Sequence, residues 1–171
     1  MKADSVKISK VFSSGGDVHY FLPHFQREFA WEKENWKTLL EDIFSLYEEY
    51  NAENEPEHFL GALVVINDGT RNATVPAFKL VDGQQRLTTI SLVFCVLARA
   101  IKESHPLLYK KIRKLLVNED ESGLLRYKLL PTPKYGDRVT FFALVDEKPI
   151  PQSESKIYPA YNTSRRKSPI V

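Results

Sequence analysis

The chain reads as an α+β fold, a small mixed sheet packed against helices. Three observations predict it. Short apolar or alternating runs of strand length recur at 18–22, 59–66, 74–81 and 124–130. A helical apolar pattern about 20 residues long covers 84–104, which makes it the central helix. No internal repeat is visible, so the elements belong to one core, for which 171 residues suffice.

Taken in order, Val6 to Phe12 alternate apolar and polar residues and predict a short strand or strand-plus-turn. Residues 13–17 predict a loop, and Val18–Leu22 a strand ended by Pro23. His24–Trp31 is irregular, with Phe25, Phe29 and Trp31 expected to anchor it to the core around Gln26-Arg27. Glu32 to about Tyr50 is a helix with Trp36, Leu39, Leu40, Ile43, Phe44 and Tyr47 on its apolar side and a solvated acidic face. Phe59–Ile66 predicts a strand buried on both faces, Asn67–Thr70 a turn, and Thr74–Val81 the returning strand, with Pro76 at an edge or a strand start. The hairpin delivers the chain to Asp82, and helix 84–104 follows with Leu87, Ile90, Val93, Phe94, Leu97, Ala98 and Ile101 as its buried stripe.

Pro106 starts a helix to about 117, with Leu107, Leu108, Ile112, Leu115 and Leu116 inward and its lysines outward. An acidic loop, the strand 124–130 and a helix capped by Asp137 complete the domain, residues 1–148. Residues 149–171, rich in Pro and Ser, predict a loop and a disordered tail, with a new element starting at Lys156–Asn162 as though a C-terminal region followed.

Net charge is +2, but residues 1–60 carry 6 Lys/Arg against 12 Asp/Glu, and residues 61–171 carry 18 against 10. A basic C-terminal part suits nucleotide phosphates or nucleic acid and equally suits solvated helix faces. No apolar run reaches transmembrane length and no signal-peptide core precedes residue 7, so a cytoplasmic protein without membrane contact is expected. Cys95 is the single cysteine and sits in the helical apolar pattern, where it packs as a small hydrophobe. Phosphate-loop, dinucleotide, zinc-ligand and nucleophile-elbow motifs are absent, and the four histidines have no metal-ligand spacing.

The chemistry gathers at Asp82-Gly83-Gln84-Gln85-Arg86-Leu87-Thr88-Thr89. Asp82-Gly83 is a good turn pair, and Asp82 can cap the helix. Arg86 resists such a bland account. It places a cation in the first turn, against the positive end of the helix dipole, and about 40° from Ile90 on the helical wheel. A cation there calls for an anion, either Asp82 or a bound phosphate held also by helical N–H groups and the Thr88 or Thr89 hydroxyl.

Leu22–Trp31, Phe59-Leu60-Gly61 and Val81–Thr89 together resemble, in order and spacing, the N-terminal domain of the GmrS-type family. These are proteins of GmrSD modification-dependent (type IV) restriction systems and related phage-defence proteins. The resemblance implies a ParB/sulfiredoxin-like fold and an NTP-binding and NTP-hydrolysing site at the DGQQR motif. Asp82, Gln84, Gln85 and Arg86 are its implied catalytic residues, and Gln26, Arg27, Gly61, Gly83, Thr88 and Thr89 its nucleotide-binding ones. Asp82 either holds Mg²⁺ or orients water, and Gln84 or Gln85 positions water. The nucleotide base stays open.

The implied partners are nucleotide, modified foreign DNA through the full-length protein, and a C-terminal nuclease domain or subunit. This chain lacks the His-Asn-His pattern of such a nuclease. Two other readings compete: a non-catalytic DNA-binding or regulatory module switched by nucleotide, and a structural one in which Arg86 only pairs with Asp82.

Overall fold

The computed structural model describes residues 4–13, 16–51, 53, 55–71, 74–119 and 121–167. Its elements are α1 (Ile8–Ser13), β1 (His19–Phe21), α2 (Lys33–Glu49), β2 (Val64–Arg71), β3 (Val75–Asp82), α3 (Gln84–Ile101), α4 (Pro106–Arg113), β4 (Leu129–Leu130), α5 (Asp137–Val145) and α6 (Ile157–Lys167). The predicted α+β class holds. Four strands form one mixed sheet in the order β2-β3-β1-β4. β1 runs parallel to both neighbours, with Tyr20 opposite Phe78 and Leu129, while β2 and β3 make the expected antiparallel hairpin.

α3 is the central helix, as its length predicts. Its buried surface is wider than one stripe: Leu92, Cys95 and Val96 are buried along with Leu87, Ile90, Ala98 and Ile101, whereas Val93, Phe94 and Leu97 are half-buried. The reason is that α4, α5 and α6 all pack on it. Burial pushes the Cys95 thiol up to about 12, so it stays protonated.

Several elements differ from expectation. Ile8–Ser13 is helical, because Phe12 buries into the core from α1 and Val11 and Ile8 pack partly beside it. Residues 59–63 lie outside the sheet. Asn67–Thr70, expected as a turn, continues β2 through a register shift. The strands of the hairpin close later, where the Thr74 N–H donates to the Arg71 carbonyl at 3.1 Å. β2 is an edge strand, so Val64, Val65 and Ile66 are exposed instead of buried on both faces. Pro76 lies opposite Thr70 at the start of β3, an internal strand.

In α2 only Trp36, Leu39 and Leu40 are buried, and Tyr47 is exposed. Leu107 and Leu108 of α4 also face solvent. The strand expected over 124–130 is a 3-10 turn over Gly123–Arg126 followed by the two residues of β4.

The largest correction concerns the C-terminus. In place of a tail, Ile157–Lys167 forms α6, whose Ile157, Ala160, Tyr161 and Ser164 are buried against the core. The domain core therefore extends beyond residue 148. Of the expected loop 13–17 and tail, residues 14, 15 and 168–171 lie outside the described residues. No helix of the described residues is long and apolar enough to cross a membrane.

Candidate anion site at the start of α3

The site begins where β3 ends. Asp82 is its last residue, and Gly83 turns the chain into α3 with φ +86°. A Cβ on Gly83 would lie 2.3 Å from Leu63 Cδ2 and 3.1 Å from the Ala62 carbonyl oxygen. The left-handed turn and the close approach of residues 62–63 both require glycine here. Gly83 accepts the first helical hydrogen bond, from the Leu87 N–H at 2.9 Å.

The N-cap is Gly83, not Asp82, and no side chain caps the helix. The first-turn N–H groups therefore keep the unsatisfied donors and partial positive charge of a helix start. Asp82 itself is exposed.

Arg86 is half-buried in that first turn. Its Nη1 donates to the Ala62 carbonyl at 2.8 Å. The guanidinium lies flat against Gly61, where an added Cβ would stand 2.7 Å from Cζ and 2.8 Å from Nη1. Gly61 has φ +93°. Its contribution is thus a slot that lets a bulky cation approach the backbone. The purely structural reading needs an Asp82–Arg86 ion pair, and none forms among the described residues. Arg86 has a neutral carbonyl as its acceptor, and no carboxylate lies within ion-pair distance of it among the described residues.

The irregular segment 24–31 reaches this turn, as the sequence leads one to expect. Gln26 Nε2 donates to the Val81 carbonyl at 2.9 Å, and Lys134 Nζ holds the Gln26 carbonyl at 2.9 Å. Gln85 supplies the main anchor. Its Oε1 accepts from the N–H groups of Ala30 at 2.9 Å and Trp31 at 3.2 Å, and its Nε2 donates to the Glu28 carbonyl at 2.9 Å. The buried Gln85 amide is committed to holding this loop.

Asp137, buried at the start of α5, adds a second anchor. It accepts from the Phe29 N–H at 2.6 Å and from Ser155 Oγ at 2.5 Å. Burial holds its carboxyl above the usual range, against the opposing pull of these two donors. Phe29 is buried and stacks on Trp36, whereas Phe25 is 80% exposed and anchors nothing. Arg27 and His24 are exposed.

Gln84, Thr88 and Thr89 complete the motif. Gln84 is 7% exposed, and its Oε1 is buried with no hydrogen-bond partner. Thr89 is fully buried and its hydroxyl donates back to the Gln85 carbonyl at 2.9 Å, so it braces the helix and is closed to a ligand. Thr88 is 3% exposed. The structure therefore brings Gln26, Gly61, Gly83, Gln84, Gln85 and Arg86 together, with Asp82 and Arg27 on the solvent side.

Sequence reasoning missed Ser155, Lys134 and the Ala62 carbonyl, which nothing local marks, since each acts across a long stretch of chain. It read Asp137 as a helix cap, whereas Gly136 is the N-cap of α5 and the Asp137 carboxylate is taken up by Phe29 and Ser155. Among the described residues no group of three or more His, Cys, Asp and Glu gathers to hold a metal ion.

Comparison with protein families matches residues 8–168 to the model described as the GmrSD restriction endonuclease, N-terminal domain. No curated protein matches this chain.

Proposed function

The chain belongs to the GmrSD restriction endonuclease N-terminal domain family, and from that premise we propose that it binds and hydrolyses a nucleoside triphosphate at the Asp82–Arg86 turn. Family membership makes it a module of a restriction, phage-defence protein. One observation carries the nucleotide reading: an uncapped helix start, an Arg86 with no carboxylate partner among the described residues and a buried, partnerless Gln84 Oε1 all stand at one turn. Free N–H groups and a guanidinium are what a phosphate needs. Family membership suggests DNA and a nuclease domain as partners of the whole protein.

In this reading the first-turn N–H groups and Arg86 hold the phosphates and offset the charge that develops as the bond to the leaving group breaks. Gln84 Oε1 accepts a hydrogen bond from the attacking water and orients it once nucleotide binding opens its buried position. Gln85 is a positioning residue: it fixes the loop that presents Gln26 and Arg27. Asp82 is exposed and has no protein partner among the described residues, which fits a Mg²⁺ held by one carboxylate, phosphate oxygens and water; such an ion would supply charge neutralisation at the phosphates. Nucleotide binding and phosphate release, each measured with and without DNA, test the reading. Arg86→Ala should weaken nucleotide binding at least about tenfold, close to 1.4 kcal/mol. Unchanged binding rejects the site.

A second reading, a nucleotide-switched DNA-binding module without turnover, draws on Gln85. Its side chain ties the first turn of α3 to residues 28–31, so a ligand that moves this turn also moves the loop. Retained binding with no phosphate release under any nucleotide selects it.

A further inference from the structure

A second concentration of charge lies at the other end of α3, about 27 Å from Gly83 by the helical rise over its length. There an open pocket of about 660 Å³ is walled by the residues that follow α3, by α4, by the 3-10 turn and by the end of α5. Its volume falls within the range of ligand sites. Four cations line it, Lys102, Arg113, Arg126 and Lys148, against two carboxylates, Asp146 and Glu147.

The carboxylates do not use up the cations. Glu147 is held by Lys102 at 2.6 Å and by the Tyr109 hydroxyl at 2.9 Å. Asp146 Oδ2 accepts from the Tyr127 hydroxyl at 2.8 Å and from Lys148 at 3.2 Å. Arg126 Nε stands 3.6 Å from Asp146 Oδ1, too far for a hydrogen bond, and Oδ1 is buried without a donor. Arg126 is therefore shared with the pocket. Arg113 donates to the Val145 carbonyl and has no carboxylate within ion-pair distance among the described residues. Its other guanidinium nitrogens have no hydrogen-bond partner among the described residues.

Glu147 adopts φ +57° as the residue that ends α5 in a Schellman cap, with the Lys148 N–H bonded to the Ala143 carbonyl at 2.8 Å and the Glu147 N–H to the Leu144 carbonyl at 3.3 Å. A brace for two carboxylates would not need a cation that has no carboxylate partner.

We propose that this pocket is a second anion site, separate from the α3 start, which takes a phosphate group between Arg113 and Arg126 with Lys102 and Lys148 at its rim. The phosphate comes either from a nucleic-acid strand or from a free phosphate compound, and the experiment separates these sources. The full chain is titrated with a fluorescein-labelled DNA duplex, followed by anisotropy across a salt series, and separately with inorganic phosphate, followed by calorimetry. The double variant R126Q/K148Q should weaken duplex binding at least tenfold and lower the slope of log affinity against log salt by about 1 to 2.

Asp146→Asn should act in the opposite sense, strengthening binding several-fold, because it removes a competing negative charge and leaves the cations in place. A merely structural network predicts loss in both variants. Weakened phosphate binding with unchanged duplex binding assigns the site to a free phosphate compound. Unchanged affinity for both ligands in the double variant, or weakened binding in Asp146→Asn, overturns the proposal. Nucleotide binding at the start of α3 should be unchanged in R126Q/K148Q, so failure at either end of α3 is read separately.

Discussion

Gly61 and Arg86 show how much of the site depends on one missing methyl group. The guanidinium occupies the space where a Cβ would stand, and the flexible end of Arg86 is what must move if one is added. Gly61→Ala should therefore cost only about 1 kcal/mol of stability, chiefly from the positive φ, while displacing Arg86 and weakening nucleotide or phosphate binding. Calorimetric titration beside a urea melt measures both effects. Gln85→Ala has the opposite profile. It strips the Ala30 and Trp31 N–H groups and the Glu28 carbonyl of their partner. A loss of about 2–4 kcal/mol is expected, reduced by water reaching a partly buried loop. The urea midpoint and Trp fluorescence report it. The DGQQR motif was legible as a polar turn on a helix, but the roles of its two glutamines were not. Gln85 bonds to residues more than fifty positions away, and Gln84 to none, and no local pattern distinguishes them.

At the level of elements, periodicity served well where neighbours in space are neighbours in sequence. β1, the β2–β3 hairpin, α2 and α3 all came from it. It failed where an apolar run is not buried. Phe59–Ile66 reads as a core strand, yet β2 ends at the sheet edge, with the register shifts and with Asp68 and Arg71 that discourage pairing to another chain. It failed again at α6, whose Pro and Ser content resembles a tail, although Ile157, Ala160 and Tyr161 enter the core. Ile157→Ala tests that correction directly. Emptying a fully buried site should cost about 3 kcal/mol and lower Tm by roughly 10 °C. A solvated tail would tolerate the change within about 0.5 kcal/mol.

Across the whole molecule, buried ionisable groups couple folding to pH. His19 lies on β1 between two strands, 4% exposed, with Nδ1 2.9 Å from the Tyr127 carbonyl. A carbonyl only accepts, so the neutral ring carries its proton on Nδ1. Burial lowers its pKa below the usual 6.5, and Arg71 and Arg138 act in the same direction. The unfolded chain thus binds a proton that the folded one refuses. Stability should be full above about pH 6.5 and fall as pH drops from there toward the lowered folded value. Thermal melts across this window should show that decline, and His19→Gln should flatten it; an unchanged slope rejects the assignment.

Sequence alone determined the α+β class, the central helix, the family to which the chain belongs and the turn that carries its polar motif. These are properties of local periodicity, turn chemistry and motif order. Tertiary structure alone decided that Gln85 faces inward to hold a loop, that Arg86 rests on Gly61 and makes no ion pair with Asp82, and that the last helix belongs to the core. Each depends on which distant segments share a surface, and that is set by packing of the whole chain around α3, not by any residue's neighbours in sequence.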